Sequence, residues 1–339
     1  MVLPLSWTNP KLDYSNLIFS FDCRSQNTFV ERPLEAAIKT VLYIRDNYPS
    51  PYIIYLSGGI DSQAMLYAWH LSNIPFQTHT AVYNNDLNKD DYETIVQFGE
   101  KLNIKINLVP FDLFSFLDTE HEYYAKTFLT GSPQFTSFMK IVSQQKKGTA
   151  IMSGDFLRPN VDYNHFINFN KPKIISYTGI PDKNAMGLLH FAIKSNLKFV
   201  PWFFLETEML AHSFYRYPNL DIAKKFNISK TFINSKYGNY FYKTALYQEN
   251  EFPVIPQTNI QRGKYNGFEM VKTYFDEQLE MKKSKMNREE LQEFEKYYRK
   301  LLLIKTSHQH SKRWFDLLYR NKYETVINSI SYNFRMNNL

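Results

Sequence analysis

Cysteine is almost absent. One residue in 339, Cys23, excludes an internal disulfide framework and any zinc site built from several cysteines. Glycine is scarce as well, 11 residues against 25 Tyr and 28 Phe, so few stretches have the composition of a loose linker and the interior is expected to be rigid and aromatic. Long apolar runs are missing. Segments such as Phe199–Leu205 fall far short of the roughly 20 residues that span a bilayer. Met1-Val2-Leu3-Pro4 has neither the basic region nor the apolar core of a signal peptide. A cytoplasmic protein with no membrane partner is expected. Neither an internal repeat nor a low-complexity tract interrupts the chain.

What is present suits one large domain or two of ordinary size. Hydrophobic residues make up 44% and aromatics 17%, ample for a packed core. The formal net charge is +7 with a pI near 9.1. That excess is spread along the chain, with a local rise from Lys282 to Arg299 that reads first as a solvated helix face. It allows a nucleic-acid partner without requiring one, because nucleic-acid binders concentrate such charge in a patch.

The most informative stretch runs from Tyr52 to Leu66. Tyr52-Ile53-Ile54-Tyr55-Leu56 is an apolar run of strand type. It breaks at Ser57-Gly58-Gly59 and resumes at helical spacing through Ala64, Met65, Leu66 and Ala68. Two glycines let the backbone turn tightly and bring successive N–H groups to bear on one anion. The helix that follows starts near Asp61 or Ser62, so its free N–H groups and positive dipole end face the same spot. The hydroxyls of Ser57 and Ser62 flank the turn. No Gly-Lys-Ser/Thr follows, which excludes the Walker loop, and the third glycine of the dinucleotide fingerprint is missing.

Ser57-Gly58-Gly59-Ile60-Asp61-Ser62 resembles the SGGxDS signature of the PP-loop, or N-type ATP pyrophosphatase, superfamily. That superfamily includes the synthetase domains of asparagine, GMP, NAD and argininosuccinate synthetases and the tRNA lysidine synthetases. The resemblance implies an adenine nucleotide alpha hydrolase-like, Rossmann-like α/β fold: a parallel sheet flanked by helices, with a mainly helical C-terminal part. It also implies cleavage of ATP between the α and β phosphates, with Mg²⁺ as cofactor. The lone cysteine argues against the branches that use cysteine pairs or a cysteine-bound zinc. Asparagine synthetases are the most similar, but the glutaminase domain that precedes their synthetase domain is not expected here. That domain needs a cysteine nucleophile at its start, and position 2 here is Val2.

In chain order, three regions are expected: an N-terminal extension over 1–30, an ATP-binding α/β domain over 31–180, and a mainly helical substrate or accessory region over 181–339. The pattern predicts a strand at Leu17–Phe21, a helix over Arg32–Asn47, a second sheet strand at Phe76–Tyr83, a helix over Asp91–Leu102 and a third strand at Ile104–Pro110. Phe111–Leu117, Tyr123–Leu129 and Thr136–Gln145 read as helices, and Thr149–Asp155 as a strand ending in a small-residue turn. Asn160–Tyr177 reads as a hairpin or an excursion over the site. Further helices are expected at Met186–Lys194, Trp202–Phe214, Tyr240–Gln248, Phe268–Gln278 and Asn287–Leu303.

By the resemblance, Ala81, Val82 and Tyr83 border the adenine through backbone groups, while His79 on the same strand reads as packing. Ser153-Gly154-Asp155 matches only the opening of the second phosphate-facing motif of asparagine synthetases; Phe156-Leu157-Arg158 replaces its second glycine and acidic pair. Asp155 beside Asp61 is a candidate magnesium ligand, since hard cations take carboxylate oxygens; a turn-capping aspartate is its alternative. Arg158 could reach a phosphate or carboxylate bidentately. Glu208 and His212 share a helix face and read as a hydrogen-bonded pair. Gln261-Arg262-Gly263-Lys264 forms a basic turn that could close over phosphates, and Lys243 competes with Arg262 and Lys264 to offset charge on departing pyrophosphate.

These residues point to an ATP-dependent ligase that adenylates an acceptor oxygen and lets an amine or ammonia displace AMP. Ser57, Gly58, Gly59, Ile60, Ser62, Ser153 and Gly154 would form the pyrophosphate cradle. Partners would be a small-molecule acceptor and a nitrogen donor, with a separate glutaminase subunit or self-association left open. Two other readings compete: a PP-loop enzyme acting on a tRNA or DNA base, and a catalytically silent ATP-binding regulatory protein.

Overall fold

The computed structural model describes residues 31–128, 133–154, 197–207 and, except for position 245, 243–256. It also describes strand backbone at 11–13, 18–21, 158–162 and 173–179, and scattered positions between 188 and 289. The first long helix, α1 (Pro33–Asn47), begins with proline in its first turn, where the missing N–H costs no hydrogen bond. It leads into β3 (Tyr52–Tyr55), every residue of which is buried. Such a run, apolar on both faces, belongs at the centre of a parallel sheet covered on both sides. The earlier strands are β1 (Lys11–Asp13) and β2 (Ile18–Phe21).

From β3 the chain alternates. It passes through α2 (Ile60–Ser72) to β4 (Phe76–Tyr83), and through α3 (Lys89–Lys101) to β5 (Leu108–Phe111). Three helices follow, α4 (Leu113–Thr119), α5 (His121–Phe128) and α6 (Pro133–Ser143), then β6 (Thr149–Met152) and, later, β9 (Lys198–Val200). The five strands form one parallel sheet in the order β5-β4-β3-β6-β9. The fold is therefore α/β and Rossmann-like. Its strand order reverses between β3 and β6, and in open α/β sheets the crevice beyond the carboxyl ends of those two strands is where ligands sit.

Side chains alternate across the sheet into two cores. Tyr52, Ile54 and Leu56 pack with Met65 and Trp69 of α2 and Val41 and Ile44 of α1. Ile53 and Tyr55 pack on the opposite face with Phe116, Phe128, Met139 and Phe199. A second, antiparallel sheet has the order β1-β2-β8-β7, with β7 at Arg158–Asp162 and β8 at Lys173–Gly179. β7 and β8 pair antiparallel, as a hairpin over this region would require, with an irregularity between Asn160 and Val161. β2 joins them through the pairs Phe19–Gly179 and Phe21–Tyr177, so the N-terminal strands share this sheet. The strand at Lys11–Asp13 has no counterpart in the sequence reading.

Some boundaries differ from expectation for local reasons. The third strand begins at Leu108, four residues later than read, and α4 begins at Leu113 because the Asp112 side chain caps it, accepting from Ser115 N at 2.9 Å. β6 ends at Met152. The single helix expected over Trp202–Phe214 is broken: Phe203–Leu205 is a short 3₁₀ turn, and helix resumes after Thr207, whose hydroxyl accepts from Leu210 N at 3.2 Å. The same hydroxyl lies 2.7 Å from that of Thr40 on α1, so Thr207 fastens this break to α1. Glu208, His212 and the helices expected beyond position 256 lie outside the described residues, apart from helical positions at 288 and 289.

Beside that break, Tyr48 donates its phenol proton to Glu206 Oε1 at 2.5 Å. Burial pushes the Glu206 carboxyl up to about 7, and the phenol hydrogen bond only partly opposes this. An unfolded glutamate ionises near 4.5. Between these two values the unfolded chain has released a proton that the folded chain retains, so stability falls as pH rises through that window and levels off above it. The difference amounts to on the order of 3 kcal/mol. Glu206→Gln, which still accepts from Tyr48, is expected to melt several degrees above the wild type at pH 8 and at nearly the same temperature at pH 4.5. Thermal melts across that range check this, and parallel profiles would refute it.

Candidate phosphate-binding site

The site is built outward from the end of β3. Leu56 N–H makes the last strand contact, to His79 O at 2.9 Å, and the chain then turns through Ser57-Gly58-Gly59 into α2. Gly58 has φ +77°, and a Cβ there would lie 1.9 Å from the backbone oxygen of Asp91 in the first turn of α3. Glycine is therefore required twice over, for the left-handed backbone and for the close approach to α3. Gly59 is the N-cap of α2 in ordinary extended conformation and offers no side chain to its free N–H groups. Those groups face the crevice between β3 and β6, with the positive end of the helix dipole behind them.

Three hydroxyls meet at this crevice. Ser62 Oγ accepts from Ser57 N at 3.2 Å and lies 3.1 Å from Ser57 Oγ and 3.4 Å from Ser153 Oγ. They come from the end of β3, the first turn of α2 and the end of β6. Gly154 follows with φ +68°, where a Cβ would meet Trp202 Cδ1 at 2.4 Å. The structure thus brings together Ser57, Gly58, Gly59, Asp61, Ser62, Ser153 and Gly154, while Ile60 points into the core, 3% exposed.

A distant segment completes the site. Residues 243–249 are helical at every described position. From it Lys243 donates to Asp61 Oδ2 at 3.0 Å, and Tyr247, one helical turn later, donates its phenol proton to Oδ1 at 2.5 Å. The chain beyond is fixed by Gln63, which is fully buried: its amide nitrogen donates to Gly58 O at 3.0 Å and Ile255 O at 3.1 Å, and its oxygen accepts from Ile255 N at 2.6 Å. Of the three basic candidates, Lys243 stands against the loop; Arg262 and Lys264 lie outside the described residues, as does Asp155. Arg158 opens β7, opposite Thr178 in the antiparallel sheet.

The end of β4 carries a feature that sequence reasoning missed. His79 turns its carbonyl toward β3, so Ala81 and Tyr83 turn their backbone groups the same way, where β3 has already ended. The buried Asn88 reaches back to them: Tyr83 N donates to its Oδ1 at 2.9 Å, and its Nδ2 donates to Ala81 O at 2.7 Å. Val82 stands opposite Pro110 on β5. Burial raises the Tyr83 phenol well above its ordinary range, and the ring packs 6.0 Å from Phe111. The His79 ring meets Tyr55 edge-on at 5.5 Å, and burial lowers its pKa.

Both Asp61 oxygens are engaged, one by an ammonium group. Among the described residues no three His, Cys, Asp or Glu side chains converge on a point that could hold a metal ion.

No protein-family model matches the chain, and no curated protein matches it. Among solved structures, it aligns with NMN synthetase from Francisella tularensis at 20% identity, over 37% of this chain and 55% of that one, with a TM-score of 0.28. The chain thus spans about half the length of that protein. It also aligns with the U34-tRNA thiolase NcsA from Methanococcus maripaludis, solved with its four-iron, four-sulfur cluster. Identity there is 15%, over 65% of this chain and 78% of that one, with a TM-score of 0.31. Such clusters are held by several cysteine thiolates, and this chain has one cysteine. The α/β fold follows from the strand order and its parallel connections. No helix among the described residues is long and apolar enough to cross a membrane.

Gly58→Ala is expected to cost more than about 2 kcal/mol, since it meets both a left-handed φ and a backbone clash. Gly59→Ala, with φ −63°, is expected to be milder. Denaturant melts of the two variants separate these outcomes.

Proposed function

We propose that this chain is an ATP-using enzyme of PP-loop type that directs an acceptor's attack onto the α phosphorus. The observation that carries the reading is a Ser-Gly-Gly turn at the point where the sheet's strand order reverses. Three hydroxyls and a helix N-terminus meet there, and Lys243 pairs with Asp61 in the first turn of that helix. An acceptor oxygen attacks the α phosphorus of MgATP, the bond from that phosphorus to the bridging oxygen breaks, and pyrophosphate leaves with the electron pair. An amine or ammonia then attacks the activated carbon, AMP departs with the C–O electrons, and the surplus proton passes to solvent.

The roles follow from position. Ser57, Ser62, Ser153 and the N–H groups of the turn hold the pyrophosphate oxygens, and Lys243 offsets charge that builds on the leaving group. Catalysis of this kind is positioning and electrostatics, without a protein nucleophile. Ala81, Val82 and Tyr83 border the base, with the Ala81 carbonyl and Tyr83 N–H shared with Asn88. Asp155, Arg158, Arg262 and Lys264 remain proposals from the sequence. Magnesium enters bound to the nucleotide, which suits an ion commonly held by substrate phosphates and one or two carboxylates. The resemblance to asparagine synthetases favours a carboxylate or amide acceptor.

Incubation with MgATP and pooled amino acids, nucleotides and tRNA is expected to yield AMP and pyrophosphate in equal amounts. Lys243→Met should lower the rate by about 10²-fold, the usual cost of removing one group that stabilises transition-state charge. ADP and phosphate as products would overturn the reading, and ATP binding without turnover in any pool would favour a regulatory protein.

A nucleic-acid acceptor is the second reading, favoured by the net charge of +7. It predicts tRNA or DNA binding whose affinity falls steeply with salt, as phosphate contacts require. Salt-independent or absent binding in filter assays would remove it.

A further inference from the structure

We infer that Tyr247 is a positioning residue for Lys243, acting through Asp61; the inference rests on the pyrophosphate-holding role proposed above. Tyr247 is fully buried, and its ring is held by aromatic neighbours on separate segments: Phe204 at 5.8 Å, Phe214 at 5.7 Å and Phe252 at 5.5 Å between ring centroids. Edge-on packing on Phe214 and Phe252, at 79° and 81°, fixes the direction in which the ring's para position points. That direction carries the hydroxyl to Asp61 Oδ1. The phenol is thus a rigid donor aimed at one carboxylate oxygen.

Lys243 has the opposite character. Its ammonium rides on four methylenes with many accessible rotamers, and such a chain occupies one place only when a partner selects it. Asp61 is that partner, at 3.0 Å, and the pair is largely shielded, with side-chain exposures of 11% and 19%. A carboxylate free to rotate about its own bonds would offer the ammonium a range of positions. With Oδ1 tied to Tyr247, Oδ2 presents one. The ammonium is then set against Asp61 in the first turn of α2, the turn that also carries Ser62. Tyr247 and Lys243 leave the same helical face four residues apart, so one helix supplies both the charge and the group that fixes it.

The aromatic box needs only the ring, and the positioning needs only the hydroxyl, so Tyr247→Phe separates them. The test titrates inorganic pyrophosphate, at fixed magnesium, against the full-length wild type, Tyr247→Phe, Lys243→Met and the double variant, with adenosine as an uncharged control. Tyr247→Phe is expected to melt within a few degrees of the wild type and bind adenosine equally. It should bind pyrophosphate at least about fivefold more weakly, the scale of a lost hydrogen bond to a charged group. In the Lys243→Met background the same change should have no further effect. Unchanged pyrophosphate affinity in Tyr247→Phe would overturn the inference, as would an equal loss with or without Lys243. So would a wild type that binds no pyrophosphate. Because the readout is binding, a wild type that holds pyrophosphate but never forms AMP would refute the proposed reaction and leave the positioning role standing.

Discussion

Two polar side chains in the first turn of α2, Asp61 and Gln63, hold a distant segment of the chain against the Ser57-Gly58-Gly59 turn. Gln63 is fully buried, and a buried amide without partners costs a few kcal/mol. Its partners are backbone atoms of Gly58 and Ile255, so satisfying it fixes the turn and the distant segment at once. Asp61 adds the ion pair and the phenol hydrogen bond across separations of 182 and 186 residues. Leu246, Tyr247, Phe252 and Val254 then bury their apolar surface in the same core as α1 and α2. That burial supplies most of the adhesion. The polar contacts supply register, because they accept only one placement of the helix.

The turn depends on the sheet as much as on its own glycines. The apolar run of β3 places its end at the reversal of strand order only because β4 and β6 flank it in parallel register. Gly58 permits the approach of α3, and Gly154 permits the approach of Trp202, which follows β9. A Cβ at either glycine would collide with a neighbouring element, the backbone of α3 at Gly58 and Trp202 at Gly154. The hydroxyls of the crevice come from β3, α2 and β6, so no single element carries the site.

The parts legible in the sequence are those encoded locally. The strand, turn and helix of Tyr52–Leu66 announce themselves through an apolar run, two glycines and a change of period. β4 appears as Phe76–Tyr83 with the bounds read from its pattern. What was not legible depends on which groups the fold brings together. Thr207 looks like an ordinary helix residue until Thr40 and Leu210 N are beside it, and only then does the break in the expected helix at 202–214 have a cause. Asn88 reads as loop composition, and nothing local says that its amide will take up two backbone groups of β4. Tyr247 was one tyrosine among 25. Its spacing of four from Lys243 was the available signal, and it becomes informative only once Asp61 is known to face that helix.

The charge arrangement at the turn constrains what it can hold. Lys243 carries one positive charge and Asp61 one negative, so the pair is neutral before any ligand arrives. The serine hydroxyls and the N-terminus of α2 add dipoles and about half a positive charge. A leaving pyrophosphate bears far more negative charge than that. On the proposed function, such a site suits a nucleotide that brings its own divalent cation, with the protein contributing directional donors and one placed ammonium. Placement then matters more than the amount of charge. A mobile lysine near Asp61 would leave the pair just as neutral, but its ammonium would be spread over positions that the phosphate oxygens do not occupy. This is why the rigid phenol of Tyr247, which carries no charge, bears directly on electrostatic stabilisation at this turn.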